Sequence, residues 1–300
     1  MGIADPVPAA EVAAPGGEAV DAGLPGDMAT PDGGASQGGL DGGSLPDAGL
    51  PAARDYGTDR ARFFGATRCA QAGLLLCEDF EGETLDAATW TRSGNGSVSI
   101  ASDEHARGQR ALRVQVSGSG GAFITEKRTF PAAGNTYFGR AFVKFVQMPR
   151  PPMTFSHWTV IAATGTQVAG EIRVGGFLTS GKQLFGVGTD NRSQEFGTGD
   201  WTTIDKDPDK QPRSIPLNEW VCIEWLHQGA TNETRFWWDA VEHPSLHTTE
   251  TLHGGNANPY VLPQFTALKL GWAEYQASDL PFELWLDEVA VDSARIGCVL

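Results

Sequence analysis

Apolar and polar residues alternate in short stretches along the chain from about Arg62 onward. In one stretch Leu112, Val114 and Val116 share one side, and polar residues occupy the other. This two-residue period is typical of strands with one buried face, and the intervening Gly, Pro, Asn and Asp clusters favour turns. Only Leu85–Trp90 favours a helical turn.

Stretches rich in Val, Ile, Phe, Trp and Thr are predicted as strands at Val98–Ile100, Ala111–Val116, Ala122–Glu126, Tyr137–Phe145, Thr159–Ala163, Glu171–Val174, Trp220–His227, Glu233–Trp238, Ala267–Trp272 and Phe282–Val291. So many strands joined by turns predict an all-β sandwich or jelly roll. Two stacked sheets would bury the alternating apolar faces, and we expect one sheet to curve around a concave groove. The charged segment Thr189–Ile215 is predicted as a loop over the groove rim.

Residues 1–60 have a different composition, with ten acidic and two basic side chains, 13 Gly, seven Pro and one aromatic residue, Tyr56. Such a segment buries too little apolar surface to offset its chain entropy. We therefore predict a disordered linker at 1–60 and a β-jelly-roll domain at 61–300. Linkers of this composition commonly hold an extracellular domain away from a cell envelope.

No signal peptide follows Met1, because the next residues lack both a basic start and an apolar run. Either the protein is cytosolic or its export signal is absent from this sequence. The linker composition favours the second alternative, so we expect a secreted or surface-tethered extracellular protein.

The net charge of −15 excludes a general nucleic-acid binder, which needs a basic face. No apolar stretch approaches the roughly 18 residues of a membrane span. We expect a monomer that binds no nucleic acid and has no membrane span.

The four cysteines are too far apart for a zinc knuckle and contain no CxxC pair. Cys69 and Cys77 are close enough for a local bridge, and a bridge between Cys222 and Cys298 would fasten the last residues to the sandwich. Three pairings exist and the sequence does not choose among them; four buried free thiols are the alternative. We expect disulfides and an oxidising compartment.

Short blocks spaced along the chain carry a family resemblance: Glu78-Asp-Phe-Glu-Gly, Gly108-Gln-Arg-Ala-Leu-Arg-Val, His157, Ile172-Arg-Val-Gly-Gly, Trp220-Val-Cys-Ile-Glu-Trp, Leu270-Gly-Trp-Ala-Glu-Tyr, Leu286-Asp-Glu-Val and Arg295-Ile-Gly-Cys. From Cys77 to Cys298 the chain resembles a fungal family of secreted cellulose-induced proteins. That family has a concanavalin A-like jelly roll and is related to glucuronan and alginate lyases. The resemblance implies the same fold here.

The resemblance also implies a structural calcium site between the two ends of the domain. Hard cations such as Ca²⁺ take six to eight oxygen ligands. The implied ligands are the carboxylates of Glu81 and Asp287 and main-chain oxygens of Arg107 and Arg110. The alternative is that Glu81 and Asp287 are ordinary surface or turn carboxylates.

The family groove implies a catalytic set of His157, Arg173 and Tyr275. A lyase removes the C5 proton of a uronic acid, so the substrate carboxylate must be neutralised while a base takes the proton. Arg173 would hold that carboxylate in a bidentate fork, and His157 or Tyr275 would be the base. The other would donate a proton or orient the substrate.

Two groove positions depart from the family. Glu171 stands where the family has a second His, and Phe177 stands where it has a Gln. Both are assigned to substrate binding. Alternatively, His157 is a structural histidine, Arg173 and Glu171 form a same-face ion pair, and Tyr275 is a phenol at the core edge.

Tryptophans favour a sugar partner, because their rings stack on pyranose faces. Trp158, Trp201, Trp238 and Trp272 are assigned to substrate binding, and the alternative for each is core packing. Trp237 and Trp238 are adjacent in a predicted strand and must point to opposite faces.

These expectations favour a polysaccharide lyase acting by β-elimination on a uronic-acid-containing polysaccharide. The alternatives are a non-catalytic carbohydrate-binding jelly-roll module and a structural domain of the cell envelope.

Overall fold

A computed structural model of the chain describes residues 54–71, 73–150, 153–166, 170–191, 201–204, 214–254, 260–276 and 280–300. Most of the predicted linker, up to residue 53, lies outside the described residues. Residues 54–60 of that linker are held against the domain, since Arg54 pairs with Asp292 and Arg60 pairs with Asp239. The ordered part of the chain therefore begins before residue 61.

The described residues form fifteen strands: β1 (Leu76–Glu78), β2 (Trp90–Gly94), β3 (Ser97–Ala101), β4 (Ala111–Ser117), β5 (Gly120–Glu126), β6 (Thr136–Gln147), β7 (Phe155–Thr166), β8 (Gly170–Thr179), β9 (Lys182–Asn191), β10 (Trp201–Ile204), β11 (Trp220–Gln228), β12 (Glu233–Trp238), β13 (Val241–Glu242), β14 (Gln264–Glu274) and β15 (Pro281–Asp292). Short 3₁₀ helices span Arg60–Arg62, Cys69–Gln71, Ala133–Asn135 and Pro244–Leu246. Within this described part, no helix is long and apolar enough to cross a bilayer.

Two antiparallel sheets contain these strands. One has eight strands in the order β13-β12-β11-β6-β15-β4-β3, with β1 pairing on β15, and the other has seven in the order β10-β9-β8-β7-β14-β5-β2. The predicted all-β sandwich is confirmed. The segment Thr189–Ile215 is not wholly a loop, because β9 runs to Asn191 and β10 lies within it.

The core lies between the two sheets and is built from the alternating apolar positions predicted from the sequence. Val114 and Val143 from the eight-stranded sheet and Val174 and Leu270 from the seven-stranded sheet belong to one buried cluster. Each alternating strand thus buries one face, and its polar face lies outside the sandwich.

Three tryptophans assigned to sugar stacking belong to this core. Trp158, Trp238 and Trp272 are at most 1% exposed, and Trp158 stacks on Trp272 with ring centroids 5.2 Å apart. Their assignment to substrate binding is wrong, because an indole sealed between sheets cannot reach a polysaccharide. Trp201 lies in β10, but its side chain is outside the described residues.

Both disulfides considered in the sequence analysis are present. Cys69 is bonded to Cys77, and Cys222 in β11 is bonded to Cys298, with Cα atoms 5.2 Å and 6.0 Å apart. The second bridge ties the last residues to the eight-stranded sheet.

Candidate functional site

The outer face of the seven-stranded sheet carries the three residues predicted to be catalytic. Strand alternation directs them there, because His157 precedes the buried Trp158 in β7 and Arg173 lies between two buried residues of β8. Tyr275 directly follows β14 and is 39% exposed. Since β8, β7 and β14 are consecutive in the sheet, the three side chains become neighbours.

Their rings and charges are in contact. The imidazole of His157 stacks on the phenol of Tyr275, with centroids 4.9 Å apart and planes at 17°. The Cζ atom of Arg173 lies 4.8 Å from the centroid of the Tyr275 ring, which is a cation–π contact. The Tyr275 hydroxyl is 3.0 Å from the Oγ1 atom of Thr159. The structure therefore brings His157, Arg173 and Tyr275 together.

Arg173 is held between two carboxylates. Its Nε donates to Glu171 Oε1 at 2.7 Å, and its Nη2 donates to Asp190 Oδ2 at 2.5 Å. Lys269 Nζ lies 3.4 Å from Glu171 Oε2. The same-face ion pair of Glu171 and Arg173, one of the alternatives for this strand, is present.

The carboxylate of Glu171 is charged at neutral pH. Burial tends to raise its pKa, but Arg173 and Lys269 outweigh that effect and hold the pKa below its ordinary value. The two bonds from Arg173 use two of the five N–H groups of a guanidinium. Glu171 thus balances charge on Arg173, and its assignment to substrate binding stays a prediction.

The phenol of Tyr275 holds its proton at neutral pH. Burial raises its pKa above the ordinary value of 10.0, while Arg173 and the hydrogen bond to Thr159 oppose that rise only in part. A phenolate formed at higher pH would lie beside the Arg173 guanidinium, which stabilises negative charge.

Gln276 fixes the protonation pattern of His157. The backbone N–H of His157 donates to Gln276 Oε1 at 2.6 Å, so the amide Nε2 of Gln276 faces His157 Nδ1 at 2.9 Å. An amide NH₂ group only donates, so Nδ1 accepts and the neutral imidazole carries its hydrogen on Nε2. Glu274 Oε1 accepts from the backbone N–H of Gln276 at 3.0 Å and from Ser156 Oγ at 2.7 Å.

Two phenylalanines extend the aromatic surface. Phe155 is 49% exposed, and its ring lies 5.9 Å from both His157 and Phe177. Phe177 is 9% exposed and lies 6.1 Å from His157. Phe155, His157 and Tyr275 form a row of rings, which we call the aromatic row. It lies beside the charged side chains of Glu171, Arg173, Asp190 and Lys269. Phe177 supports this row from the next strand.

Several residues of the site were not found from the sequence. Asp190 fell in a segment predicted as a loop, and Gln276 lies just beyond a strand. Lys269 stands between the buried Leu268 and Leu270, so its outward position was readable from alternation. The alternation does not show that Lys269 lies close to Glu171, because this contact depends on the order of the strands in the sheet.

The predicted calcium ligands do not fit a calcium site. Asp287 Oδ2 accepts the backbone N–H groups of Arg107 and the residue before it at 2.9 and 2.8 Å. Glu81 Oε1 accepts those of Arg110 and the residue before it at 3.0 and 2.8 Å. The turn 106–110 thus presents N–H groups to both carboxylates where a hard cation needs carbonyl oxygens.

The side chain of Arg107 supplies a positive charge in the same region. It is fully buried, and its Nη1 donates to Glu288 Oε2 at 2.9 Å. It also donates to the carbonyl oxygens of Phe63, Cys298 and Leu300, at 2.6, 2.7 and 2.8 Å. This guanidinium joins the segment before β1 to β15 and to the last residues, which is the role that the resemblance implied for calcium.

The fold and this polar, aromatic outer face define a carbohydrate-active protein of the jelly-roll class. The chain belongs to the family described as Polysacc_lyase-like: Cip1-like, core domain, whose model matches residues 79–294. This confirms the resemblance to cellulose-induced proteins, while the fungal origin and the relation to glucuronan and alginate lyases stay predictions.

One solved structure gives the same fold, and two others match less closely. The structure of "Cellulose induced protein, Cip1" matches with a TM-score of 0.55 and 19% identity, covering 74% of this chain and 99% of that one. A carbohydrate esterase, vb_24B_21 from the Shiga toxin-encoding bacteriophage phi24B, matches with a TM-score of 0.46 and 14% identity over 73% and 97% of the two chains. The family 22 carbohydrate binding module of Clostridium thermocellum Xyn10B matches at 0.35 and 14%, over 76% and 96%. The search of curated proteins found no match.

Proposed function

We propose that the protein is a polysaccharide lyase that cleaves beside a uronic acid by β-elimination. The observation that carries this proposal is the convergence of His157, Arg173 and Tyr275 on one outer face, with the phenol in contact with both other side chains. Those are the three groups the chemistry needs, namely two donors for a carboxylate and one group that exchanges a proton.

Neutralising the substrate carboxylate falls to Arg173 and His157. The Nε2–H of His157 is a donor in the neutral tautomer that Gln276 fixes. Arg173 adds positive charge and N–H groups. Together they stabilise the negative charge that develops when C5 loses its proton.

Tyr275 carries out both proton transfers. As the phenolate it takes the C5 proton, and the electron pair of that C–H bond forms the C4–C5 double bond. The glycosidic oxygen then leaves C4 and receives a proton from the same phenol. The Thr159 hydroxyl, 3.0 Å from the phenol oxygen, can donate to the phenolate and steady it. No water is added to the product.

A second candidate function is carbohydrate binding without catalysis. What favours it is that two carboxylates already engage Arg173, and that the aromatic row offers an exposed platform for a sugar ring. In that case the site would bind a polysaccharide and leave it intact.

We also propose that the protein acts outside the cell as a monomer. Two disulfides support an extracellular location, because such bonds persist in oxidising compartments.

Incubation with a panel of uronate-containing polysaccharides tests the lyase. The unsaturated uronate at the new chain end absorbs in the ultraviolet, so activity appears as rising absorbance. Tyr275→Phe keeps the ring but removes the hydroxyl, and we expect it to abolish the rise while binding persists. Binding without any rise for the unsubstituted protein would favour the non-catalytic module. A rise that survives in Tyr275→Phe would contradict the role of the phenol.

A further inference from the structure

Among the described residues, the ion pairs around Arg173 join two cations to two carboxylates. Arg173 and Lys269 carry two positive charges, and Glu171 and Asp190 carry two negative charges within hydrogen-bond or ion-pair distance of them. The side chains of Arg173 and Glu171 are only 13% and 16% exposed, so solvent screens this cluster less than it screens surface pairs. These two carboxylates therefore already occupy hydrogen-bonding groups of the guanidinium that a substrate anion would use.

A substrate carboxylate that approaches Arg173 meets the oxygens of Glu171 and Asp190. Both already accept from this guanidinium, at 2.7 and 2.5 Å. Arg173 attracts the incoming anion, and the two carboxylates repel it. Each additional anionic group nearby therefore adds repulsion. One carboxylate is tolerated, aided by the Nε2–H of His157, but a row of them is not.

The repulsion extends to the neighbouring sugars of a bound chain, because the screening length at physiological salt is about 8 Å. Neighbouring uronates of a homopolyuronate lie within that distance, so they are repelled together. A chain of mostly neutral sugars brings one charge at a time.

We propose that this site takes a polysaccharide of mainly neutral pyranoses that carries isolated uronate residues, and that Glu171 and Asp190 discriminate against homopolyuronates. This inference rests on the proposed function, because it concerns the same outer face. The neutral sugars beside the uronate stack on the aromatic row, where Phe155 is half exposed.

Affinity electrophoresis with three immobilised polymers tests the substrate class. The polymers are alginate, deacylated gellan, whose backbone has isolated 4-linked glucuronates among neutral sugars, and that gellan after reduction of its carboxyl groups to alcohols. We expect the unreduced gellan to retard the protein most and alginate least, with alginate binding growing as salt is added. Tighter binding of alginate that weakens with salt would overturn the proposal, as would binding to none of the three.

Charge-removing variants identify the residues responsible. Glu171→Gln and Asp190→Asn should each strengthen alginate binding roughly twofold to fivefold, the range expected for a partly exposed charge contact. Asp103→Asn removes an exposed charge beyond β3 in the other sheet and should change little. Weaker alginate binding in Asp190→Asn would overturn the discrimination.

Product absorbance measured alongside separates this inference from the lyase proposal. Binding that prefers the unreduced gellan, without absorbance on any polymer, keeps the substrate class and removes the lyase. Absorbance on alginate together with tighter alginate binding keeps the lyase and removes the substrate class.

Discussion

His157 in β7 and Tyr275, the residue directly after β14, have stacked rings that are 4.9 Å apart and nearly parallel. The backbone of the two residues is joined as well, because the N–H of Tyr275 donates to the carbonyl oxygen of His157 at 3.2 Å. These contacts hold the imidazole against the phenol, and Arg173 of the neighbouring β8 contacts the same phenol ring. Changes to any of the three should alter the others.

The rate of β-elimination should rise with pH well above neutrality. Burial raises the pKa of Tyr275 above 10.0, so the phenolate that takes the C5 proton is scarce at pH 7. At pH values below that pKa, each rise of one pH unit increases the phenolate fraction roughly tenfold. Initial rates measured from neutral to alkaline pH check this, and a profile that levels off near the ordinary pKa of histidine would point to His157 as the base instead.

Removing the Gln276 amide should release the tautomer of His157. In the unsubstituted protein we expect nitrogen NMR to show an unprotonated Nδ1 and a protonated Nε2 when the imidazole is neutral. Gln276→Leu should mix the tautomers and slow turnover roughly tenfold or more, as for other residues that orient an imidazole. Gln264→Leu, exposed at the start of β14, is the control. A protonated Nδ1 in the unsubstituted protein would contradict the assignment.

The exposed ring of Phe155 should contribute to polysaccharide binding. It is the most exposed member of the aromatic row, and Phe155→Ala should weaken binding by more than about fivefold, as for aromatic residues at the centre of an interface. Leu252→Ala, also exposed, is the matched control. Calorimetry with oligosaccharides measures both, and equal affinities would place the sugar elsewhere.

We expect Arg107, and not calcium, to stabilise the domain at the turn 106–110. Arg107→Met leaves Glu288 buried with one fewer cation, and we expect a loss of about 3–5 kcal/mol in the free energy of unfolding. Arg92→Met, an exposed arginine of β2, should cost little. Thermal unfolding should not respond to calcium or to a chelator in the unsubstituted protein. A calcium-dependent rise in Tm would restore the ligand set of Glu81 and Asp287.

Much of the fold follows from the two-residue period. The alternation around Leu112 or Val174 settles which side chains face the core, and it correctly places Glu171 and Arg173 on one face. Strand order is a different matter, because it depends on contacts between distant segments. The pairing of β14 with β7, which brings Tyr275 to His157, joins segments far apart in the chain and has no local signal in the sequence.

The tryptophans and the turn show two further limits. Residue type alone suggests that Trp158 and Trp272 stack on sugars. Both instead pack in the core, because the inner face of the sheet needs large apolar side chains. The turn 106–110 has no period from which side-chain direction can be read. Only the structure shows that the side chain of Arg107 points inward to Glu288.

Mass spectrometry of the products formed in water labelled with heavy oxygen tests the central claim most directly. β-Elimination by His157, Arg173 and Tyr275 adds no water, so we predict unsaturated oligosaccharides without the label at the new chain ends. Labelled, saturated chain ends would mean hydrolysis and would contradict the account.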